Sequence, residues 1–134
     1  MSTREITRDN LEDTVRQGIV LLDWWASWCG PCRAFAPVFE NAATANPDVV
    51  FGKVNTEVEQ ELAEAFQIQA IPTLMAFRDG LLLYASPGAI SAPQLDDLLK
   101  QVRGLDMDAV RREIAAAEAE GRGNGAEEPG DGPA

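Results

Sequence analysis

The chain contains no histidine and only two cysteines, Cys29 and Cys32. A tetrahedral zinc site needs four ligands, usually cysteine or histidine, and one pair of thiols does not supply them. Positive charge is also scarce. Eleven Lys and Arg stand against 22 Asp and Glu, a net charge of −11, so the basic footprint of a nucleic-acid binder is missing. Long apolar runs are missing too, and a membrane-spanning helix would need one of about 20 residues. Met1-Ser2-Thr3-Arg4-Glu5 leads into no apolar stretch of signal length. No internal repeat is visible. These absences predict a protein that stays in the cytoplasm and engages neither membrane nor nucleic acid.

What remains is an ordinary globular composition, 46% hydrophobic and 25% charged over 134 residues, enough for one domain with a core of its own. The acidity is uneven. Residues 1–105 carry a net −6 and residues 106–134 a net −5, so the last fifth of the chain reads as a solvated tail.

Apolar patterning predicts alternating strands and helices. A short edge strand over 3–7 comes first, then a helix capped by Asn10 and ended by Gly18. The run Ile19-Val20-Leu21-Leu22-Asp23-Trp24-Trp25 reads as a central strand covered on both faces, with one acid inside it. A helix after Pro31 carries Phe35, Val38, Phe39 and Ala42 on one face, with Pro37 inside it. A second central strand over 49–54 follows, and then a helix with Val58, Leu62, Ala65 and Phe66 on its buried face. Arg78-Asp79-Gly80 turns between two final strands, and Leu95, Leu98, Leu99 and Val102 form the stripe of the next helix. The order β-α-β-α-β-α-β-β-α predicts an α/β fold: a mixed sheet with a parallel core, an antiparallel hairpin at one edge and helices on both faces. One more helix, capped by Asp106, carries the narrow stripe Met107, Val110, Ile114 and Ala117. The expected organisation is a domain over 1–104, a helical extension over 105–120 and a disordered Gly/Pro-rich acidic tail over 121–134.

Chemistry concentrates in Trp28-Cys29-Gly30-Pro31-Cys32. Two cysteines at this spacing read as half a zinc site, a structural disulfide or a redox dithiol. The zinc reading lacks ligands, and a structural bridge closing so small a loop makes little sense in a reducing compartment. A dithiol at the start of a helix fits best. Free N–H groups and the helix dipole there favour a thiolate, which is the attacking species. Pro31 in the first turn costs no hydrogen bond.

That motif resembles the active site of the thioredoxin family residue for residue. The resemblance spans roughly residues 4–103, with Asp23, Trp25-Ala26, Ile71-Pro72-Thr73 and Gly88-Ala89 matching in order and spacing. It implies the thioredoxin fold and a protein-disulfide reductase. By that resemblance Cys29 is the nucleophile and Cys32 the resolving thiol, with Cys32 the more buried. It implies that Asp23 is a buried acid–base group relaying a proton to or from the buried cysteine; the plainer alternative is a solvent-facing acid at an edge or bulge. Lys53 would lie near Asp23 with Trp25 in support, or else be a surface lysine snorkelling off its strand.

Pro72 by itself marks a loop end; the family places a cis proline there, which leaves Ile71 to pair with a bound substrate strand. Trp28, Gly30, Pro31, Ile71, Pro72, Gly88 and Ala89 would form an uncharged client-binding patch. No cofactor is expected on the chain itself. The implied partners are thioredoxin reductase, which carries electrons from NADPH, and disulfide-containing client proteins; the chain is expected to be a monomer. Trp24 stands where phenylalanine is common in the family, Arg33 stands where lysine is frequent, and the segment after Gly104 has no counterpart in the minimal domain. That extension keeps open a non-catalytic alternative, a binding module or holdase chaperone.

Overall fold

A computed structural model describes residues 2–124. The chain divides into two compact units, Met1–Arg103 and Gly104–Ala134. The first unit runs β1 (Thr3–Glu5), α1 (Leu11–Val15), β2 (Ile19–Trp25), α2 (Gly30–Ala45), β3 (Val50–Asn55), α3 (Gln60–Ala65), β4 (Thr73–Arg78), β5 (Leu81–Pro87) and α4 (Ala92–Gly104), whose last residue opens the second unit. The five strands form one sheet in the order β1-β3-β2-β4-β5. Strands β1, β3 and β2 are mutually parallel, and β4 and β5 add on antiparallel. This is the mixed sheet that the alternating pattern predicts.

Strand β2 lies at the centre, and side-chain alternation divides its residues between two cores. Leu21 joins Phe35 and Phe39 of α2, Phe51 of β3 and Leu95 and Leu99 of α4. Val20, Leu22 and Trp24 join Ile6, Leu11, Val54 and Leu62 on the opposite side. Both faces of β2 are therefore covered, as a near-continuous apolar run requires. Asp23 shares its face with Leu21 and Trp25, the face that α2 covers.

Close approach governs the middle of β3. Gly52 pairs with Arg4 on one side and Leu22 on the other. A Cβ at Gly52 would stand 2.5 Å from Ile6 Cγ1 and 2.9 Å from Leu22 Cδ2. The hairpin between β4 and β5 turns on Asp79 and Gly80, with φ of 55° and 85°, the left-handed pair that a tight two-residue turn demands.

Several local expectations need correction. Asn10 does not cap α1. Its side chain instead accepts from the Thr7 N–H and donates to the Glu5 carbonyl, so its oxygen ties the loop and not the helix. Helix α3 begins after Val58, which is 68% exposed and outside the buried face assigned to it. Its apolar side chain carries periodicity, but the turn Asn55–Glu59 places it outside the helix.

In the second unit α5 spans Met107–Asn124. Asp106 Oδ1 accepts from the N–H groups of Asp108 and Ala109, the cap that the sequence predicts. The helix passes the expected end at 120, because its Ala/Glu-rich run propagates through Gly121 at a cost of only about 1 kcal/mol for each helical glycine. The rest of the tail expected over 121–134, from 125 onward, lies outside the described residues. No helix among the described residues is long and apolar enough to cross a membrane.

Overpacking at β3 is directly testable. Gly52→Ala is expected to lower folding stability by about 1–3 kcal/mol, read by urea denaturation, because Ile6 and Leu22 must both give way.

Candidate active site

Strand β2 ends at Trp25, and four residues later the chain has turned into α2. Cys29 occupies the N-cap of that helix with extended backbone, and its Sγ accepts from the Cys32 N–H at 3.2 Å. A sulfur thus takes the place of the oxygen that Ser or Asp supplies at most N-caps. Cys29 and Cys32 form a disulfide, with Cα atoms 5.2 Å apart. When the bond is reduced, the amide and the dipole of α2 favour Cys29 as thiolate.

The turn before Cys29 is clamped from two sides. Glu57 Oε2 accepts from the Ser27 N–H and hydroxyl, each at 2.8 Å. Those two donors hold the Glu57 carboxyl below the usual carboxylate range. Arg33 donates to the Ser27 carbonyl at 2.8 Å. Glu57 and Arg33 carried no motif signal as clamps; only the fold brings Glu57 to this turn.

Residues expected in the patch lie around the disulfide or at the same end of the sheet. Ile71 and Pro72 are joined by a cis peptide bond, and the Ile71 carbonyl oxygen lies 3.7 Å from Cys29 Sγ. Gly88 donates its N–H to the Pro72 carbonyl at 2.7 Å, which brings Gly88 and the adjoining Ala89 to the same end of the sheet. Trp28 is 70% exposed, and Gly30, Pro31, Gly88 and Ala89 are exposed as well. Ile71 is half-buried and Pro72 buried.

A groove of about 490 Å³ runs beside Cys29, between Trp28, Gly30 and Pro31 on one wall and Thr56, Ala63, Ile68, Gln69, Ala70 and Ile71 on the other. Five of these residues — Thr56, Ala63, Ile68, Gln69 and Ala70 — were invisible in the sequence, because uncharged side chains outside any motif carry no chemical signature. The expected difference in burial between the cysteines is small: Cys29 is 4% exposed and Cys32 3%. Both pack with Ala26, Trp25 and Ile71.

Asp23 is fully buried, which removes the edge-or-bulge alternative. Neither carboxylate oxygen has a hydrogen-bond partner among the described residues. Burial pushes its pKa from 3.8 up to about 7; the cation of Lys53 pulls it down and the anion of Glu40 pushes it up. Lys53 is the in-register neighbour of Asp23 on β3, and its ammonium sits 5.2 Å from the centre of the Trp25 ring. The sequence missed Glu40, whose spacing along α2 announced nothing.

A family model described as Thioredoxin matches residues 2–101. The chain belongs to the thioredoxin family. It is 52% identical over 120 residues to "Putative thioredoxin 2" of Streptomyces coelicolor, covering 89% of this chain and 90% of that one. An alignment of that length takes in much of α5 wherever it begins, so the extension is shared with this relative. Thioredoxin of Chlamydia muridarum is 35% identical over 96 residues, covering 72% of this chain and 94% of that one. Among solved structures, a mutant thioredoxin from Halobacterium salinarum is similar with a TM-score of 0.70 and 31% identity, covering 75% of this chain and 90% of that chain. Family, fold and disulfide together make the chain a thiol–disulfide oxidoreductase.

The buried acid has a thermodynamic signature. Between pH 3.8 and about 7 the unfolded chain has lost the Asp23 proton that the folded chain keeps. Stability from this group is therefore complete below the lower value and is lost as pH rises through the upper one. The stability of the oxidised protein minus that of Asp23→Asn is expected to fall by about 4 kcal/mol from pH 4 to pH 8. Asp48 and Glu57, both lowered, act with the opposite sign, but they are common to both proteins and cancel. Chemical denaturation across this pH range gives the difference curve; a flat one contradicts the raised pKa.

Proposed function

We propose that the chain reduces client disulfides through Cys29, with Cys32 as resolving thiol and Asp23 as its acid–base partner. The observation that carries this reading is Cys29 at the N-cap of α2, its sulfur bonded to the Cys32 N–H beside an open apolar groove.

In the reduced protein the Cys29 thiolate attacks one sulfur of a client disulfide. The S–S bond breaks, the leaving sulfur departs as a thiolate, and a mixed disulfide links Cys29 to the client. Cys32 then gives up its proton and attacks Cys29 Sγ. The client leaves with both sulfurs reduced, and the Cys29–Cys32 disulfide remains. Asp23 accepts the Cys32 proton in this reading, for which its complete burial and a pKa of about 7 are the support.

Trp28, Gly30, Pro31, Ile71, Pro72, Gly88 and Ala89 are the proposed client contacts. The groove accepts an extended segment, and the exposed glycines let its backbone approach. Lys53 and Trp25 support Asp23. The family implies that thioredoxin reductase restores the dithiol with electrons from NADPH, which this chain is not proposed to bind. A dithiol kept reduced fits the cytoplasm, where we place the protein. Residues 1–104 carry this activity and the extension from 105 is an addition to it. No observation favours the non-catalytic binding module.

Cys29→Ser is expected to abolish the acceleration that the protein gives to reduction of a disulfide-bonded protein substrate by dithiothreitol. Cys32→Ser is expected to accumulate a mixed disulfide with that substrate, visible on non-reducing gels. The Cys29–Cys32 couple of the unaltered protein is expected at about −270 mV, a benchmark belonging to thioredoxin itself. A potential well above the glutathione poise, or full turnover by Cys29→Ser, refutes the reductase reading.

A further inference from the structure

Lys53 stands between two carboxylates and is held by only one of them. Its side chain is 19% exposed, and its ammonium lies 3.3 Å from Glu40 Oε2, a group 53% exposed on α2. The same ammonium sits 5.2 Å from the centre of the Trp25 ring. Asp23, its in-register neighbour on β2, takes no hydrogen bond from it. Attraction between opposite charges is strongest where water is excluded, so Asp23 is the stronger electrostatic lure. Following it costs the ammonium part of its water, which lets a competing anion at the rim decide its place. Glu40 and the ring face give the ammonium a half-solvated alternative.

We propose that Glu40 is a positioning residue: it holds the Lys53 ammonium on the Trp25 ring and away from Asp23, so that the buried acid has no hydrogen-bonded counter-ion. The surroundings of Asp23 support this. Strand β4 places Leu74 opposite it, α4 contributes the apolar Leu95 and Leu99 to the same face, and the start of α2 brings the cysteine pair. Arg33 on α2 is engaged with Ser27. Among the described residues Lys53 and Glu40 are thus the charged groups facing Asp23, and both act on its proton affinity in the senses the geometry requires. The link from Glu40 to turnover rests on the acid–base role proposed for Asp23; the placing of Lys53 does not.

The test is a carboxyl-carbon NMR titration of Asp23 in the oxidised full chain. Glu40→Gln is expected to lower the Asp23 midpoint by about 1 pH unit, because the freed ammonium turns to the buried carboxylate. Glu40→Asp is expected to keep the midpoint within a fraction of that. In a Lys53→Met background, Glu40→Gln is expected to move it far less. An Asp23 midpoint unmoved by Glu40→Gln overturns the proposal, as does an equal movement with and without Lys53, which would leave only direct repulsion by Glu40. The pH dependence of client reduction separates the two readings. A limb that follows the midpoint supports both. A midpoint that moves while the pH–rate profile stays fixed supports the placing of Lys53 and overturns the role of Asp23 in turnover.

Discussion

The hydrogen bond from the Cys32 N–H to Cys29 Sγ is the contact on which the rest of the site depends. It makes the sulfur part of the helix terminus, so the residue that reacts also closes the first turn of α2. The first N–H groups of a helix have no partner inside it, and a thiolate answers that need better than a neutral thiol. The surrounding structure secures this junction. Glu57 and Arg33 fix Ser27 just before it, and Ala26 and Trp25 pack beneath the cysteines. A helix start that is also a redox centre cannot drift without losing both properties.

Burial of one acid in the central strand is the second constraint. Asp23 occupies a position that alternation assigns to the α2 face, where its neighbours Leu21 and Trp25 are apolar. An ionised carboxylate there is costly, and burial raises its pKa instead of recruiting a full ion pair. Lys53 stands near enough to moderate the effect and is itself held at the rim by Glu40 and Trp25. The central, fully covered strand thus supplies a group that titrates near neutrality. Stability is given up for that, which is common where a site needs a perturbed pKa.

Much of this was legible in the sequence because apolar periodicity is a direct record of burial. The run over 19–25 could only be a covered strand, and Asp23 stood out as a polar residue where none belongs. The Cys-Gly-Pro-Cys spacing and Pro31 marked a helix start with paired thiols. Pro72 by itself marked only a loop end, and it was the family resemblance that gave Pro72 and Gly88 a place at the site. Other features left no trace. Val58 kept helical spacing but fell in a turn, and Asn10 had a cap's chemistry while tying a loop. The far wall of the groove is built of residues such as Ala63, Ile68 and Ala70, which read as filler in any helix or loop.

The sequence alone determined element order, the two covered faces of β2 and the chemistry of the dithiol, because these follow from local periodicity and residue type. Tertiary structure alone decided which distant groups meet. Glu57 reaches Ser27 across 30 positions, Glu40 reaches Lys53 across 13, and the Ile71 carbonyl reaches Cys29 across 42. Such pairings are set by strand register and by the packing of α2 on the sheet. A side chain's spacing along the chain does not encode them, since each of these residues would look the same on an unremarkable surface.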